Sequence, residues 1–261
     1  MYQEYELERF THNGLRIRII ADTDASNPRE DFDQFGVMTC FHSRYTLGDK
    51  HNHASPENFL ENLLPEQAVE RLERFATKLW QGYDREIDEG NTTLEKALTA
   101  HSTEVAARRW IEVDKVAIML PLYLYDHSGI TMRVSPFSCP WDSGQVGWIF
   151  ATLESIRAEF GVKRVTAKIR ERVTKMLTSE VAEYDQYLTG DVWGYVIDAK
   201  DNIDDEGDEY VDVGSCWGFF GSDYCKEAAL EEADAIERER LPLMASAGLL
   251  DDQPTENQPE I

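Results

Sequence analysis

The segment VAIMLPLYLY (116–125) runs for ten residues without a charge, and no chain can leave such a stretch facing water. It is too short for a membrane span. Its unbroken apolar character instead predicts a strand covered on both faces, with Pro121 at an edge or a bulge because proline cannot donate to a ladder. The rest of the fold has to supply those covers. LRIRII (15–20) alternates apolar and basic residues like a half-buried strand, and FGVMTCFH (35–42) and QVGWIFAT (145–152) read as further strands. Between them lie helical patterns. Ser55 and Pro56 give one helix a cap and a first residue, and Pro65 repeats the device for a second. There Ala68, Val69, Leu72, Phe75, Ala76, Leu79 and Trp80 keep the spacing of one buried face up to Gly82. LESIRAEFG is a short helix stopped by Gly161, and an amphipathic helix follows from Thr166 to about Tyr187 with Ile169, Val173, Leu177 and Val181 on one side. DVWGYVI (191–197) and EYVDVGSCWGFFG (209–221) pair as antiparallel strands around an acidic loop, and Ser222 opens a last helix. This order predicts the α+β class, a mostly antiparallel sheet with packed helices. One globular domain is expected over residues 1–244, with any subdivision near 90–104. Residues 245–261 have too little apolar surface to fold and are expected to form a disordered acidic tail.

Charge limits the function. The 26 basic side chains stand against 50 acidic ones, a net −24, so a broad phosphate-binding surface and direct binding to nucleic acid are not expected. No apolar run of membrane-spanning length occurs, and MYQEYELERF lacks the order of a secretory leader, so the expected location is the cytoplasm, away from membranes. Cys40, Cys139, Cys216 and Cys225 are scattered, as reduced core thiols would be. Residues 198–261 alone carry 19 acidic and 4 basic side chains.

Three stretches contain candidate chemistry. In DNIDDEGDEYVDV, residues Asn202, Asp204, Glu206 and Gly207 match the first half of a calcium loop, but Val213 stands where the bidentate glutamate belongs and the flanks read as strands, so a solvated hairpin tip is the better reading. FHSRYTLGDKHNH brings His42, Arg44, Asp49, His51 and His53 together. His51 and His53 would chelate a divalent metal if extended, although no third ligand is specified and no cofactor is otherwise implied. PFSCPWDSGQVGWIF places Cys139, Trp141 and Asp142 in a proline-fixed turn, either as a thiol site or as a rigid corner. Phosphate loops, dinucleotide fingerprints and nucleophile elbows are absent from the sequence, so an enzyme has no support from them. The helical stripe Arg164, Lys168, Arg172 and Lys175 suits pairing with the protein's own carboxylates or with a second subunit of an oligomer.

FHSRYTLGDKH, PFSCPWDSGQVGWIF, YDQYLTGDVWGYVI and SCWGFFGSDYC together resemble an uncharacterised family of acidic proteins encoded by phages, plasmids and other mobile elements. The likeness covers about residues 35–50 and 116–235. The resemblance implies an accessory protein acting in the cytoplasm of a host bacterium. In that setting 24 excess charges equal those of about 12 base pairs of duplex. A DNA mimic that fills the basic DNA-binding groove of a host nuclease or restriction complex is therefore the working expectation. Its surface would be built from Asp201, Asp204, Asp205, Glu206, Asp208, Glu209 and Asp212 with Glu227, Glu231, Glu232, Asp234, Glu237 and Glu239. The alternatives are a metal-dependent or thiol enzyme using His42, Asp49 and His51 or Cys139 and Asp142, and a non-catalytic interaction protein.

Overall fold

A computed structural model describes residues 5–200 and 210–246, with 241–246 as backbone only. The loop acids Asp201, Asp204, Asp205, Glu206, Asp208 and Glu209, the near-match to a calcium loop, and the tail from residue 247 lie outside the described residues. The fold is α+β with antiparallel sheets, as the sequence predicts, and the chain divides into two compact units, residues 1–26 with 190–261 and residues 27–189. No helix among the described residues is long and apolar enough to cross a membrane.

In the first unit β1 (Glu6–His12), β2 (Leu15–Ala21), β7 (Val192–Lys200) and β8 (Tyr210–Phe220) form an antiparallel sheet in the order β1-β2-β7-β8. The period-two alternation of β2 decides its faces. Leu15, Ile17 and Ile19 meet α7 (Ser222–Ser246), whose Cys225, Ala229 and Ala233 are fully buried at four-residue spacing. Arg16 and Arg18 project the other way and clamp Asp198 at 2.9 and 3.1 Å. Burial opposes the Asp198 charge, but the hydrogen bonds from Arg18 and Arg16 prevail and lower its pKa. Asn13 and Gly14, at φ 50° and 75°, make the two-residue turn that joins β1 to β2.

In the second unit β3 (Val37–Cys40), β4 (Ala117–Asp126), β5 (Ile130–Arg133) and β6 (Ser143–Thr152) form a sheet ordered β3-β6-β4-β5. Helices cover both faces. Ile149 and Ala151 of β6, with Ile118, Leu122 and Leu124 of β4, pack towards Val173, Leu177, Val181 and Tyr184 of α6 (Ala167–Thr189). Trp148, Phe150 and Ala117 pack instead on Phe59 and Leu60 of α2 (Pro56–Leu63), Ala68 and Leu72 of α3 (Glu66–Asp88) and Val113 of α4 (Leu94–Val113). This is the double cover that the apolar run demanded. Pro121 stands beyond the reach of β5, which pairs only with Tyr123–Asp126, and just before the register shift at Leu122/Tyr123. α1 (Pro28–Asp31) and α5 (Leu153–Glu159) are short.

Three expectations about α3 need correction. The helix passes through the exposed Gly82 and ends at Asp88, because the true stop is Gly90 at φ 73°, after which the Asn91 N–H returns to the Glu86 carbonyl. Pro65 is the N-cap and not the first helical residue. Of the expected buried face only Ala68 and Leu72 are buried, while Val69, Phe75, Ala76, Leu79 and Trp80 are half-buried. Residues 90–104 form the turn and the first half of α4.

Glu112 of α4 is 1% exposed and receives hydrogen bonds from Lys115 at 2.8 Å and Arg71 at 2.7 Å. Those bonds outweigh burial and hold its carboxyl at about 2, below the ordinary 4.5. A carboxyl with a depressed folded pKa adds stability that is complete above the unfolded value and lost as pH falls through the folded one. Glu112→Gln is therefore expected to lower the urea midpoint at pH 7, with the gap to the parent closing between pH 4.5 and 2. An unchanged gap at pH 2 would show that the pairing contributes nothing through its charge.

Candidate functional site

Three chain segments meet at one end of the β3-β6-β4-β5 sheet: the loop leaving β3, the end of β4 and the entry to β6. Phe41, His42, Arg44, Asp126, Trp141 and Asp142 are among the residues lining an open cleft of about 450 Å³ there. His42, Arg44, Trp141 and Asp142, singled out in two separate motifs, thus come together. Cys139 lies beside them, its thiol donating to Asp142 Oδ2 at 3.6 Å.

The entry to β6 is rigid for local reasons. The Arg133 guanidinium lies 3.9 Å from the Phe137 ring centroid and donates to the carbonyls of Ser135 and Pro136. The Ser143 hydroxyl donates to the Cys139 carbonyl, and the Asp126 N–H to the Asp142 carbonyl at 2.8 Å. On this corner Trp141 is 92% exposed. Across the cleft Arg44 is ion-paired with Asp126, and the Tyr45 hydroxyl reaches the other Asp126 oxygen at 3.5 Å. His42 stacks on Tyr45 with centroids 5.0 Å apart, and its Nδ1 accepts the N–H groups of Arg44 and Tyr45 at 3.3 and 3.2 Å. Among the described residues no hydrogen-bond partner meets its Nε2.

The arrangement does not place an imidazole on the thiol. His127 Nδ1 lies 3.5 Å from Asp142 Oδ2, the oxygen that also accepts from Cys139, so the carboxylate stands between imidazole and sulfur. In a Cys–His pair the imidazole stands next to the thiol, and here it does not. Cys40 and Cys225 are buried, and burial pushes each thiol up to about 12.

Asp49 belongs elsewhere. It accepts the Arg29 guanidinium and the Met38 N–H inside a buried cluster with Glu180. His51 directs Nε2 to the Cys40 carbonyl at 2.8 Å, and its Nδ1 accepts the His53 N–H at 3.3 Å, so both nitrogens are committed. His53 Nδ1 faces the Asn62 amide at 3.4 Å. Among the described residues no three His, Cys, Asp or Glu side chains gather as a metal-holding group. Asp126 of the cleft, and His127 beside Asp142, escaped the sequence reading. The signal was there in YDHSG, a polar pair ending an apolar strand before a tight turn.

The acidic candidates form a second feature. The first unit holds 25 acidic and 7 basic side chains, net −18, against 25 and 19, net −6, in the second. On α7, Glu227, Glu231, Glu232 and Glu239 are exposed and Glu237 is half-buried. Asp223, Glu227 and Glu231 follow at four-residue steps on the side away from Cys225, Ala229 and Ala233, so the row rises about 6 Å per carboxylate. Asp223 was not anticipated. Asp234 is held by His12 and Asn13, each at 2.7 Å, and the His12 hydrogen bond lowers its pKa. Asp212 turns its carboxylate back to the Gly214 N–H at 3.0 Å.

Trp193 is buried and Phe219 half-buried under α7, while Trp217 is 45% exposed. No protein-family model matches the chain, nor does any curated protein or solved structure.

Proposed function

We propose that the chain is a non-catalytic acidic binding protein whose first unit occupies a basic, DNA-binding groove on a bacterial host protein, as a mimic of duplex charge. The observation that carries this reading is the row Asp223, Glu227 and Glu231 on a helix anchored by three fully buried small residues. Its step of about 6 Å is close to twice the duplex rise of about 3.4 Å per phosphate on one strand. The net −18 of the first unit supports long-range attraction to a cationic groove. The motif resemblance to proteins of mobile elements supplies the setting, a host cytoplasm in which defence nucleases and restriction complexes present such grooves.

The test is capture of host proteins on the full chain, followed by elution with duplex DNA. Duplex is expected to displace the retained protein, with retention falling steeply between about 50 and 200 mM salt. The D223K/E227K/E231K variant should weaken retention at least about tenfold. A partner that withstands both duplex and charge reversal would overturn the proposal.

A further inference from the structure

The cleft of the second unit has a composition that the acidic face does not explain. Trp141 is 92% exposed on a corner braced by Arg133, Phe137 and Ser143, so a large flat apolar ring is held in water by a rigid turn. Polar groups without a complete set of protein partners stand around it. Asp142 spends only Oδ2 on His127 and Cys139, and among the described residues Oδ1 accepts nothing. Arg44 binds Asp126 through Nη2, and among the described residues its other guanidinium N–H groups have no hydrogen-bond partner, which leaves them to a ligand. Among the described residues the His42 Nε2 and the Gln145 amide oxygen have no hydrogen-bond partner. At Gly144 a Cβ would meet nothing within 4 Å, so the mouth beside Asp142 stays open.

We propose that this cleft binds a neutral saccharide of one or two rings, stacked on Trp141 and hydrogen-bonded by Asp142, Arg44 and His42. A sugar hydroxyl both donates and accepts, which matches a wall that alternates carboxylate, guanidinium and imidazole. The C–H face of a pyranose matches an exposed indole. The volume of about 450 Å³ falls in the range of small-ligand sites. Other ligand classes fit less well. Arg44 is neutralised by Asp126 in a chain of net −24, which leaves no surplus charge for a phosphate, and the polar lining offers little to a lipophilic molecule.

The experiment is retention of the full chain on an array of neutral mono- and oligosaccharides, followed by titration of the retained sugar against tryptophan emission. Binding should shift the emission to the blue, because stacking removes Trp141 from water. W141A and D142N should each weaken binding at least about tenfold. W141A should leave the urea midpoint unchanged, since a side chain 92% exposed contributes little packing. The D223K/E227K/E231K variant should bind the sugar like the parent, which separates this proposal from the mimicry reading. Absence of any retained glycan, binding that survives both W141A and D142N, or displacement of the sugar by nucleosides at lower concentration would each overturn it.

Discussion

Arg29→Met is expected to lower the free energy of unfolding by about 3–5 kcal/mol, the usual cost of removing one partner from a buried ion cluster. The Arg29 side chain is 2% exposed. Its Nε and Nη2 hold Asp49 at 2.7 and 2.8 Å, Nη1 holds Glu180 at 3.0 Å, and Nη2 also donates to the Gly36 carbonyl at 2.6 Å. Burial opposes the guanidinium charge, but the hydrogen bonds to Asp49 and Glu180 prevail and raise its pKa. The two carboxylates are themselves held by backbone N–H groups, Asp49 by Met38 and Glu180 by Phe35 and Gly36, so turning out to water when the cation goes would break those bonds. Methionine would fill much of the space and leave two uncompensated charges. Arg29→Lys keeps the charge, but one ammonium cannot reproduce a planar fork that meets three acceptors, so it should recover less than half of the loss. The triple variant R29M/D49N/E180Q should be more stable than R29M alone, because it removes the stranded charges. Urea unfolding of the three variants decides the matter, and a loss under about 1 kcal/mol for R29M would show that the cluster is screened by water.

That cluster also shows where sequence reading stops. Asp49 stands close in the chain to His42 and Arg44, and proximity in sequence assigned it to their site. In space it is claimed by Arg29, twenty residues earlier, through a pairing that no local pattern encodes. Periodic signals fared better, because they report on a face and not on a partner. The alternation in LRIRII, the continuous run VAIMLPLYLY and the spacing of Val173, Leu177 and Val181 each found the cover they implied. The missed strand β1 is an edge whose side chains are mostly exposed, so its sequence carries almost no alternation. Asn13-Gly14 was the available clue, since a two-residue turn with both φ positive needs those residue types and implies a strand on either side. The extension of α3 past Gly82 was hidden for the opposite reason. A helical glycine on an exposed face costs only about 1 kcal/mol and so does not end the helix.

Gly147→Ala is the second large effect expected, and it links the core of the sheet to the cleft. Gly147 of β6 lies opposite Cys40 of β3. An added Cβ there would stand 2.0 Å from the Thr39 carbonyl oxygen and 2.9 Å from Cys40 Cα. Both are backbone atoms, so no rotamer change relieves the clash and β3 itself must move. β3 is an edge strand of four residues, and detaching its end forfeits ladder hydrogen bonds as well as the burial of Met38 and Cys40. The loss should reach about 3 kcal/mol, the upper range for overpacking. Gly144→Ala offers a matched control three residues earlier on the same strand, where the new methyl meets nothing within 4 Å and stability should change by under about 0.5 kcal/mol. Because the chain leaving β3 carries His42 and Arg44 into the cleft, G147A should also abolish saccharide retention at temperatures where the protein remains folded. Equal urea midpoints for G147A and G144A would mean that the close approach of Thr39 to Gly147 does not fix β3, and the positions of His42 and Arg44 would then need another support.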